Sequence, residues 1–176
     1  MVDQARVANP EAQVASFFAT YEPAITKLGK ALRAKLRARL PGLNEVVYVY
    51  ESQESLVISY SPTVNGYEAI CSLALYPSIV KLFFAVSPLL SKSDPNKLLQ
   101  GSGAKVRYVL LDAAADLDRP EIEALMAAAV KHAKLSLDAG ATGSVIIKAE
   151  EQKQRASRAK KTARPGSARR TGKARP

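Results

Sequence analysis

The sequence predicts an α+β two-layer sandwich, in which helices cover one face of an antiparallel sheet. Between residues 23 and 40, apolar residues recur every three or four positions, which is typical of an amphipathic helix. Between residues 45 and 111 the apolar residues alternate in five short segments, which is typical of strands. The connections between the first four segments are too short for parallel crossovers, so we expect an antiparallel meander of five or six strands.

Two helices are predicted ahead of the strands. The first begins at Pro10, because Asn9 can cap it and Glu11 lies at the positive end of the helix dipole. It should end near Tyr21. The second, over residues 23–40, has an apolar stripe and an otherwise basic surface. The stripe is Ile25, Leu28, Leu32 and Leu36, and the cations are Lys27, Lys30, Arg33, Lys35, Arg37 and Arg39. This basic surface is either a solvated outer face or a surface for nucleic acid or an acidic partner.

The alternating segments predict both the strands and their two faces. The predicted strands are Glu45–Glu51, Ser55–Tyr60, Tyr67–Tyr76, Ile79–Val86 and Lys105–Leu111, with Ser144–Lys148 as a candidate sixth. Alternation places one set of side chains beneath the helices, namely Val80, Leu82, Phe84, Val106, Tyr108 and Leu110. It places Lys81, Phe83, Lys105 and Arg107 together on the opposite face. Cations beside an aromatic ring could form a platform for single-stranded nucleic acid, although a solvated or partner-covered face is the simpler interpretation.

A final helix is predicted after the fifth strand. Residues 118–121 (Asp-Arg-Pro-Glu) match a capping box, and the helix should stop before Gly140. Its apolar face comprises Ile122, Leu125, Met126, Ala129, Val130, Ala133 and Leu137. One or two further helical turns are expected over residues 94–99.

The positive charge of the chain is concentrated at its C-terminal end. The whole chain has a formal charge of +10, and residues 151–176 contain ten Lys or Arg residues and one acid, which leaves the preceding 150 residues at +1. From residue 150 onward the only apolar side chains are alanines, which predicts a disordered segment. We therefore expect an N-terminal extension with a short helix (1–20), a folded domain (21–149) and a disordered basic tail (150–176).

The basic tail indicates a sequence-independent contact with DNA or RNA, because Lys and Arg side chains bind phosphates. The simpler alternative is a solubilising extension. The cations of the tail are Lys153, Arg155, Arg158, Lys160, Lys161, Arg164, Arg169, Arg170, Lys173 and Arg175.

The sequence is poor in catalytic and metal-binding side chains. One His (His132) and one Cys (Cys71) cannot form a structural zinc site, which needs four nitrogen or sulfur ligands. Cys71 lies inside a predicted strand and is expected to be a small buried hydrophobe. Since no nucleophile–base pair can be named, we predict a protein that is not an enzyme and has no metal or cofactor. The acids of residues 112–123 leave a hard-cation site open as an alternative.

Glycines and cations near residue 102 form the candidate ligand site. The order helix, glycines, strand does not fit a dinucleotide-binding loop. Gly101 could end a turn in the left-handed conformation, or the backbone N–H groups could cradle an anion. The ligand or anion candidates are Lys81, Gly101, Ser102, Gly103, Lys105 and Arg107. An enzyme hypothesis combines Lys105 and Arg107 with Tyr48 or Tyr76.

The sequence shows neither a signal peptide nor a clear membrane span. Residues 69–90 are apolar, but Lys81, Pro77 and Pro88 interrupt them, and they fit two strands better than a membrane helix. With a single cysteine and no signal peptide, a cytoplasmic protein without a membrane partner is expected. The sequence does not indicate the oligomeric state.

Several segments in order resemble the bacterial YdhG-like family, a domain of unknown function. The matching segments are Ser61–Thr63, Ala69–Pro77, Leu82–Phe84, Lys97–Gly103 leading to Arg107, and Asp118–Glu121 with the closing helix. The likeness covers roughly residues 21–150 and implies an antiparallel sheet flanked by N- and C-terminal helices. The family is linked to frataxin-like iron handling, which implies an iron or small-molecule carrier as the alternative function. Frataxin-type function relies on an acidic first helix, whereas the first long helix here is basic. No catalytic residue carries over.

Overall fold

A computed structural model describes residues 9–148 of the chain. Within this range there are four helices: α1 (Pro10–Phe18), α2 (Pro23–Arg39), α3 (Pro88–Lys92) and α4 (Pro120–His132). The strands are β1 (Asn44–Tyr50), β2 (Ser55–Ser61), β3 (Cys71–Leu75), β4 (Val80–Ala85), β5 (Val106–Leu110) and β6 (Val145–Ile147). The predicted α+β class is confirmed.

The six strands form one sheet in the order β5-β4-β3-β2-β1-β6. The predicted antiparallel meander of β1 to β5 is confirmed. The sheet as a whole is mixed, because β6 pairs with β1 in the parallel direction. The connection from β5 through α4 is long enough to cross the sheet, so β6 can return beside β1 and run the same way. Ser144 O accepts from Glu45 N at 2.9 Å, and Lys148 N donates to Val47 O at 2.8 Å.

The hydrophobic core lies between one face of the sheet and the helices. The predicted α2 stripe is confirmed: Leu32 and Leu36 are fully buried and Ile25 and Leu28 pack against them. The first helix also belongs to this core, because Val14 and Phe18 of α1 are fully buried. The other buried side chains come from the inner face of the sheet and from α4. They include Val47, Leu56, Ile58, Leu73, Leu75, Leu82, Phe84, Ile122 and Leu125.

The helix α4 is shorter than predicted and begins differently. Its N-cap is Arg119, which makes no side-chain capping bond, so the predicted capping box is wrong. The Asp118 carboxylate instead pairs with Lys35 and Arg39 of α2. The helix ends at His132 rather than just before Gly140, because Lys134 adopts a left-handed φ of 54°. A non-glycine residue in this conformation terminates the helical hydrogen-bond pattern.

Two local predictions ahead of β3 and β5 are also wrong. The segment Gly66–Glu68 forms a 3₁₀ turn, capped by Asn65, so β3 begins later than expected. Residues 94–99 are not helical. The Asp94 carboxylate accepts hydrogen bonds from Leu98 N at 2.7 Å and Leu99 N at 3.0 Å. Such side-chain bonds to the backbone compete with helix formation.

The faces of β5 are opposite to those predicted. Tyr108 lies opposite Phe83 in the register, so it shares the face of Lys81, away from the helices. Arg107 lies opposite the buried Phe84, on the helix side. Both alternating sets of β5 contain apolar residues, and the pairing with β4 selects the set that contains Val109 for the core. Val106, Tyr108 and Leu110 therefore point away from the helices, while Val109 and Leu111 are buried.

Within residues 9–148, no helix is long and apolar enough to cross a membrane. The apolar segment at residues 69–90 contains β3, β4 and the start of α3.

Candidate functional site

The face of the sheet turned away from the helices, here called the open face, carries an aromatic cluster. The register places Tyr48 and Tyr50 of β1 on it, together with Phe83 and Tyr108. Tyr76, which continues β3 by pairing through its N–H with Ile79 O at 2.9 Å, belongs to the same face. All five rings are half-buried. They therefore keep part of their surface available to a ligand.

Lys81 lies among three of these aromatic side chains. Its Nζ is 4.2 Å from the Tyr108 ring centroid and 5.1 Å from the Tyr76 centroid. The Phe83 and Tyr108 rings are 5.4 Å apart at an interplanar angle of 53°. We call Tyr76, Lys81, Phe83 and Tyr108 the Lys81 cluster. A cation over aromatic faces is held by the negative ring faces, so the cluster presents an ordered positive charge among apolar surfaces.

The charge of the Lys81 cluster is not neutralised nearby. No carboxylate of the described residues forms a salt bridge with Lys81. Burial raises the pKa of Tyr76, and the neighbouring phenol groups of Tyr108 and Tyr50 raise it further. Tyr76 therefore keeps its proton at neutral pH. The cluster can attract an anion without a competing negative charge of its own.

Small side chains form a floor between the aromatic residues. Ser59 Oγ and Ser72 Oγ are hydrogen-bonded at 2.9 Å across β2 and β3. Ala74 is fully buried although it lies on the open face, because it neighbours Lys81 in the register. Tyr48 and Tyr50 stand on β1 at one side of this floor, Lys81, Phe83 and Tyr108 stand on β4 and β5 at the other, and Tyr76 continues β3 between them. Aromatic side chains around a strip of small residues suit planar groups.

The end of the sheet at the β1–β2 turn is acidic. A cavity of about 440 Å³ between this turn and the α1–α2 linker is lined by Glu22, Glu51 and Glu54 together with Tyr50. The Tyr21 hydroxyl on its wall donates to Glu54 O at 3.0 Å. Carboxylates repel anions, so a phosphate group is disfavoured at this end and favoured at Lys81.

The structure brings together only part of the predicted ligand set. Gly101 has the predicted left-handed φ, at 100°, and a Cβ on it would lie 3.3 Å from the Tyr108 ring. It therefore adjoins the Lys81 cluster. Arg107 lies on the other face, where its Nη1 donates to Val106 O at 3.1 Å. The remaining members, Ser102, Gly103 and Lys105, are exposed in the loop before β5. Sequence reasoning missed Tyr108, whose face depended on the strand register.

The basic surface of α2 is largely neutralised by carboxylates. Arg33 Nη2 lies 2.6 Å from Glu45 Oε2, and Arg33 Nη1 lies 2.9 Å from Glu11 Oε2. Arg37 shares Glu11 at 2.7 Å. Lys35 and Arg39 pair with the N-terminal end of α4. In the described part of the chain only two cations of the predicted set, Lys27 and Lys30, have no carboxylate partner. The helix is therefore poorly suited to bind a polyanion.

Residues 9–148 contain no group of three His, Cys, Asp or Glu side chains that could hold a metal ion. The acids near the start of α4 have structural partners. Asp116 Oδ2 accepts from Asp112 N at 2.8 Å and Ala113 N at 2.9 Å. The lowered pKa of Asp118 results first from its hydrogen bond with Lys35.

Cys71 is buried and is not suited to nucleophilic chemistry. Burial raises the pKa of its thiol to about 12, so the reactive thiolate is scarce at neutral pH. His132 is exposed at the end of α4. The two are the only His and Cys of the chain.

We expect Cys71 to resist thiol reagents in the native protein at pH 8, because both access and thiolate formation require opening of the sheet. The rate of labelling by a chromogenic disulfide reagent should rise by orders of magnitude in denaturing urea. Free glutathione at the same thiol concentration is the control. Rapid stoichiometric labelling without denaturant would contradict this placement.

Residues 149–176, with all ten predicted tail cations, lie outside the described residues. Lys148, the last described residue, is held against β1 by its hydrogen bond to Val47 O. The last described residue is therefore held at the β6 edge of the sheet.

No family model, curated protein or solved structure matches this chain. The resemblance to the YdhG-like family stays a prediction from sequence.

Proposed function

We propose that this protein is a non-catalytic nucleic-acid-binding domain whose C-terminal tail contributes most of the affinity. The observation that carries the proposal is the division of charge. Residues 151–176 carry +9 of the total +10, whereas the remainder carries +1. Lys and Arg side chains release counterions when they neutralise phosphates, so such a tail binds DNA and RNA without regard to sequence.

The folded domain supports a binding role rather than a catalytic one. Its only Cys is buried and its only His is exposed, and the single strongly buried ion pair found in residues 9–148 joins Arg33 to Glu45. The Lys81 cluster adds one unpaired cation on the open face. A cytoplasmic location accompanies this proposal, because the lone thiol needs no oxidising compartment and nucleic acid is accessible there.

The carrier alternative, for iron or a small molecule, rests on the family resemblance. No observation in residues 9–148 favours it, since no metal-ligand group occurs in that range.

The test compares the full chain with a chain that ends at Ala149. Fluorescence anisotropy titrations use labelled DNA and RNA of about 16 nucleotides. If about six tail cations engage a single strand, the affinity of the full chain should fall roughly 300-fold between 50 and 200 mM salt. At 50 mM salt the shortened chain should bind at least about a hundredfold more weakly.

A full-length variant with the ten tail cations replaced by Gln is the matched control, because it keeps the length of the tail. It should behave like the shortened chain. Equal affinity of all three proteins at low salt would remove the tail from the mechanism.

A further inference from the structure

We propose that the open face stacks unpaired bases, so that the ligand of this protein is single-stranded nucleic acid. This inference rests on the proposed function and specifies its ligand. The tail alone binds any polyanion, and it does not distinguish a duplex from a single strand beyond their charge densities. The chemistry that makes this distinction is the combination of aromatic rings and a cation in the Lys81 cluster.

The rings of the cluster can accept bases. Tyr76, Phe83 and Tyr108 are each half-buried, so each ring is fixed by packing yet leaves surface exposed. Beyond them Val106 and Leu110 are 47% and 39% exposed on the same face, an apolar edge that a base can cover. Bases of every type have a flat aromatic face, so stacking on tyrosine and phenylalanine tolerates any sequence.

A duplex cannot make these contacts. In a duplex both faces of each base are covered by neighbouring base pairs, whereas unpaired bases can be splayed onto a sheet. The Tyr48 and Tyr50 rings, 6.2 Å apart on β1, extend the aromatic surface to the other side of the Ser59–Ser72 floor. The aromatic side chains of the open face therefore extend from β1 to β5, which is wide enough for several nucleotides.

Charge selects the part of the face where the phosphates lie. The acidic cavity formed by Glu22, Glu51 and Glu54 repels phosphate from the Tyr50 end. Lys81 has no carboxylate partner among the described residues. Lys105 pairs with Val86 beyond the end of β5 and alternates with Val106, so it lies with Arg107 on the helix side and not on the open face. The backbone of a bound strand is therefore expected to pass over β4, near Lys81.

The tail is long enough to follow a strand bound there. Lys148, the last described residue, is held at the β6 edge, and the strand order puts β1, β2 and β3 between β6 and β4. At about 4.8 Å per strand, β5 lies about 24 Å from β6. The chain beyond residue 148 could span about 90 Å if fully extended. Phosphates held by the tail and bases held by the open face can thus belong to one molecule.

The experiment measures binding of the full chain to an unstructured 16-nucleotide strand and to a duplex of the same length, at fixed salt. DNA and RNA strands are tested in parallel. The variant Tyr76→Leu/Tyr108→Leu removes two stacking rings but retains apolar side chains. It should bind the single strand about 10- to 100-fold more weakly than the unmodified chain, because each stacked base contributes measurably to affinity. Its affinity for the duplex should not change.

Tyr67→Leu is the matched control, because Tyr67 is 92% exposed and lies in the turn before β3, outside the Lys81 cluster. It should bind both ligands as the unmodified chain does. Lys81→Met is the second variant, in case the double replacement fails to fold. For the single strand, the slope of log affinity against log salt concentration should become shallower by about 0.7, because one phosphate contact is lost. The chain has seven Tyr and no Trp, so quenching of tyrosine fluorescence by the single strand is a second readout.

The outcomes separate the two proposals. Loss of single-strand binding in the double variant with intact duplex binding supports base stacking. If every face variant binds the single strand and the duplex as tightly as the unmodified chain does, base stacking is overturned and the proposed function of the tail stands. Absence of salt-dependent binding by the full chain overturns both. A concentration-dependent dimer that Tyr76→Leu/Tyr108→Leu dissociates would assign the open face to a second copy and overturn base stacking.

Discussion

Glu45→Gln is expected to destabilise the protein by about 3 kcal/mol, because it removes one partner of a buried ion pair. The Glu45 side chain is 3% exposed and that of Arg33 is 12% exposed. Arg33 Nε lies 3.0 Å from Glu45 Oε1, and Arg33 Nη2 lies 2.6 Å from Oε2, which is a two-pronged contact. Burial alone would lower the pKa of Arg33, but its hydrogen bonds with Glu45 and Glu11 raise it. Arg33 therefore remains charged when Glu45 loses its charge.

The position of Glu45 explains the size of this effect. It lies on the helix side of β1, opposite Tyr60, where its neighbours in the sheet are core residues. The Arg33 guanidinium would keep only Glu11, whose side chain is 45% exposed and which it shares with Arg37. This remaining contact places the expected loss at the lower end of the 3 to 5 kcal/mol range for broken buried pairs.

Urea unfolding curves at pH 7 test this prediction. Glu123→Gln is the matched control, because it changes the same chemical group in an exposed pair, 3.2 Å from Arg39. It should alter the free energy of unfolding by no more than about 0.5 kcal/mol. If Glu45→Gln unfolds at the same urea concentration as the unmodified chain, with the same dependence of the unfolding free energy on urea, the Arg33–Glu45 pair does not stabilise the protein.

Gly143→Ala is expected to detach β6 from the sheet and to cost about 3 kcal/mol or more through steric overlap. A Cβ at residue 143 would lie 1.7 Å from Leu43 O and 2.4 Å from Leu43 C. Both are backbone atoms just before β1, and they cannot move without disturbing the strand. The overlap can be relieved only if the chain around residue 143 withdraws from β1.

Withdrawal would break specific contacts. Ser144 N donates to Asn44 Oδ1 at 2.9 Å, and Glu45 N donates to Ser144 O at 2.9 Å. Val145 and Ile147 pack against the core from the helix side of β6. Their exposure adds to the loss of hydrogen bonds, and Lys148 would no longer be held beside β1.

Amide hydrogen exchange separates this local effect from global unfolding. The amides of Glu45 and Lys148 should exchange much faster in Gly143→Ala, while amides of β3 and β4 stay protected. Gly140→Ala is the matched control, since its Cβ would make only an ordinary 3.5 Å contact with Asp138 Oδ1. If the Glu45 amide is equally protected from exchange in the Gly143→Ala protein, the close approach of residue 143 to Leu43 is not required for the pairing of β6 with β1.

Local patterns were sufficient to predict most of the elements. The cap at Asn9 is confirmed, with its Oδ1 accepting from Glu11 N at 3.0 Å. The stripe of α2 and the meander are confirmed. Both depend on the spacing of apolar residues along the chain, and this spacing determines which side chains of a helix or strand can be buried together. The errors at residues 118–121 and 94–99 have a different origin. The Asp118 carboxylate pairs with Lys35 instead of capping α4, and the Asp94 carboxylate accepts a hydrogen bond from Leu98 N, which competes with helix formation.

The candidate site depended on contacts distant in sequence. Lys81 and the glycine loop were identified from their residue types. Tyr108 was assigned to the wrong face, and the pairing of α2 cations with Glu11, Glu45 and Asp118 was not visible in the sequence. Spacing within one strand defines two faces but does not say which of them is buried. That choice was made by the register between β4 and β5.

The sequence by itself determined the α+β class, the apolar stripe of α2 and the concentration of positive charge beyond residue 150, because each is a property of consecutive residues. Only the tertiary structure decided that β6 runs parallel to β1, that the charges of α2 are largely consumed by ion pairs, and that Tyr108 joins Lys81 on the open face. A one-residue change in strand register turns every side chain of a strand to the opposite face. The aromatic surface of this protein is therefore a consequence of pairing between strands, which no single strand encodes.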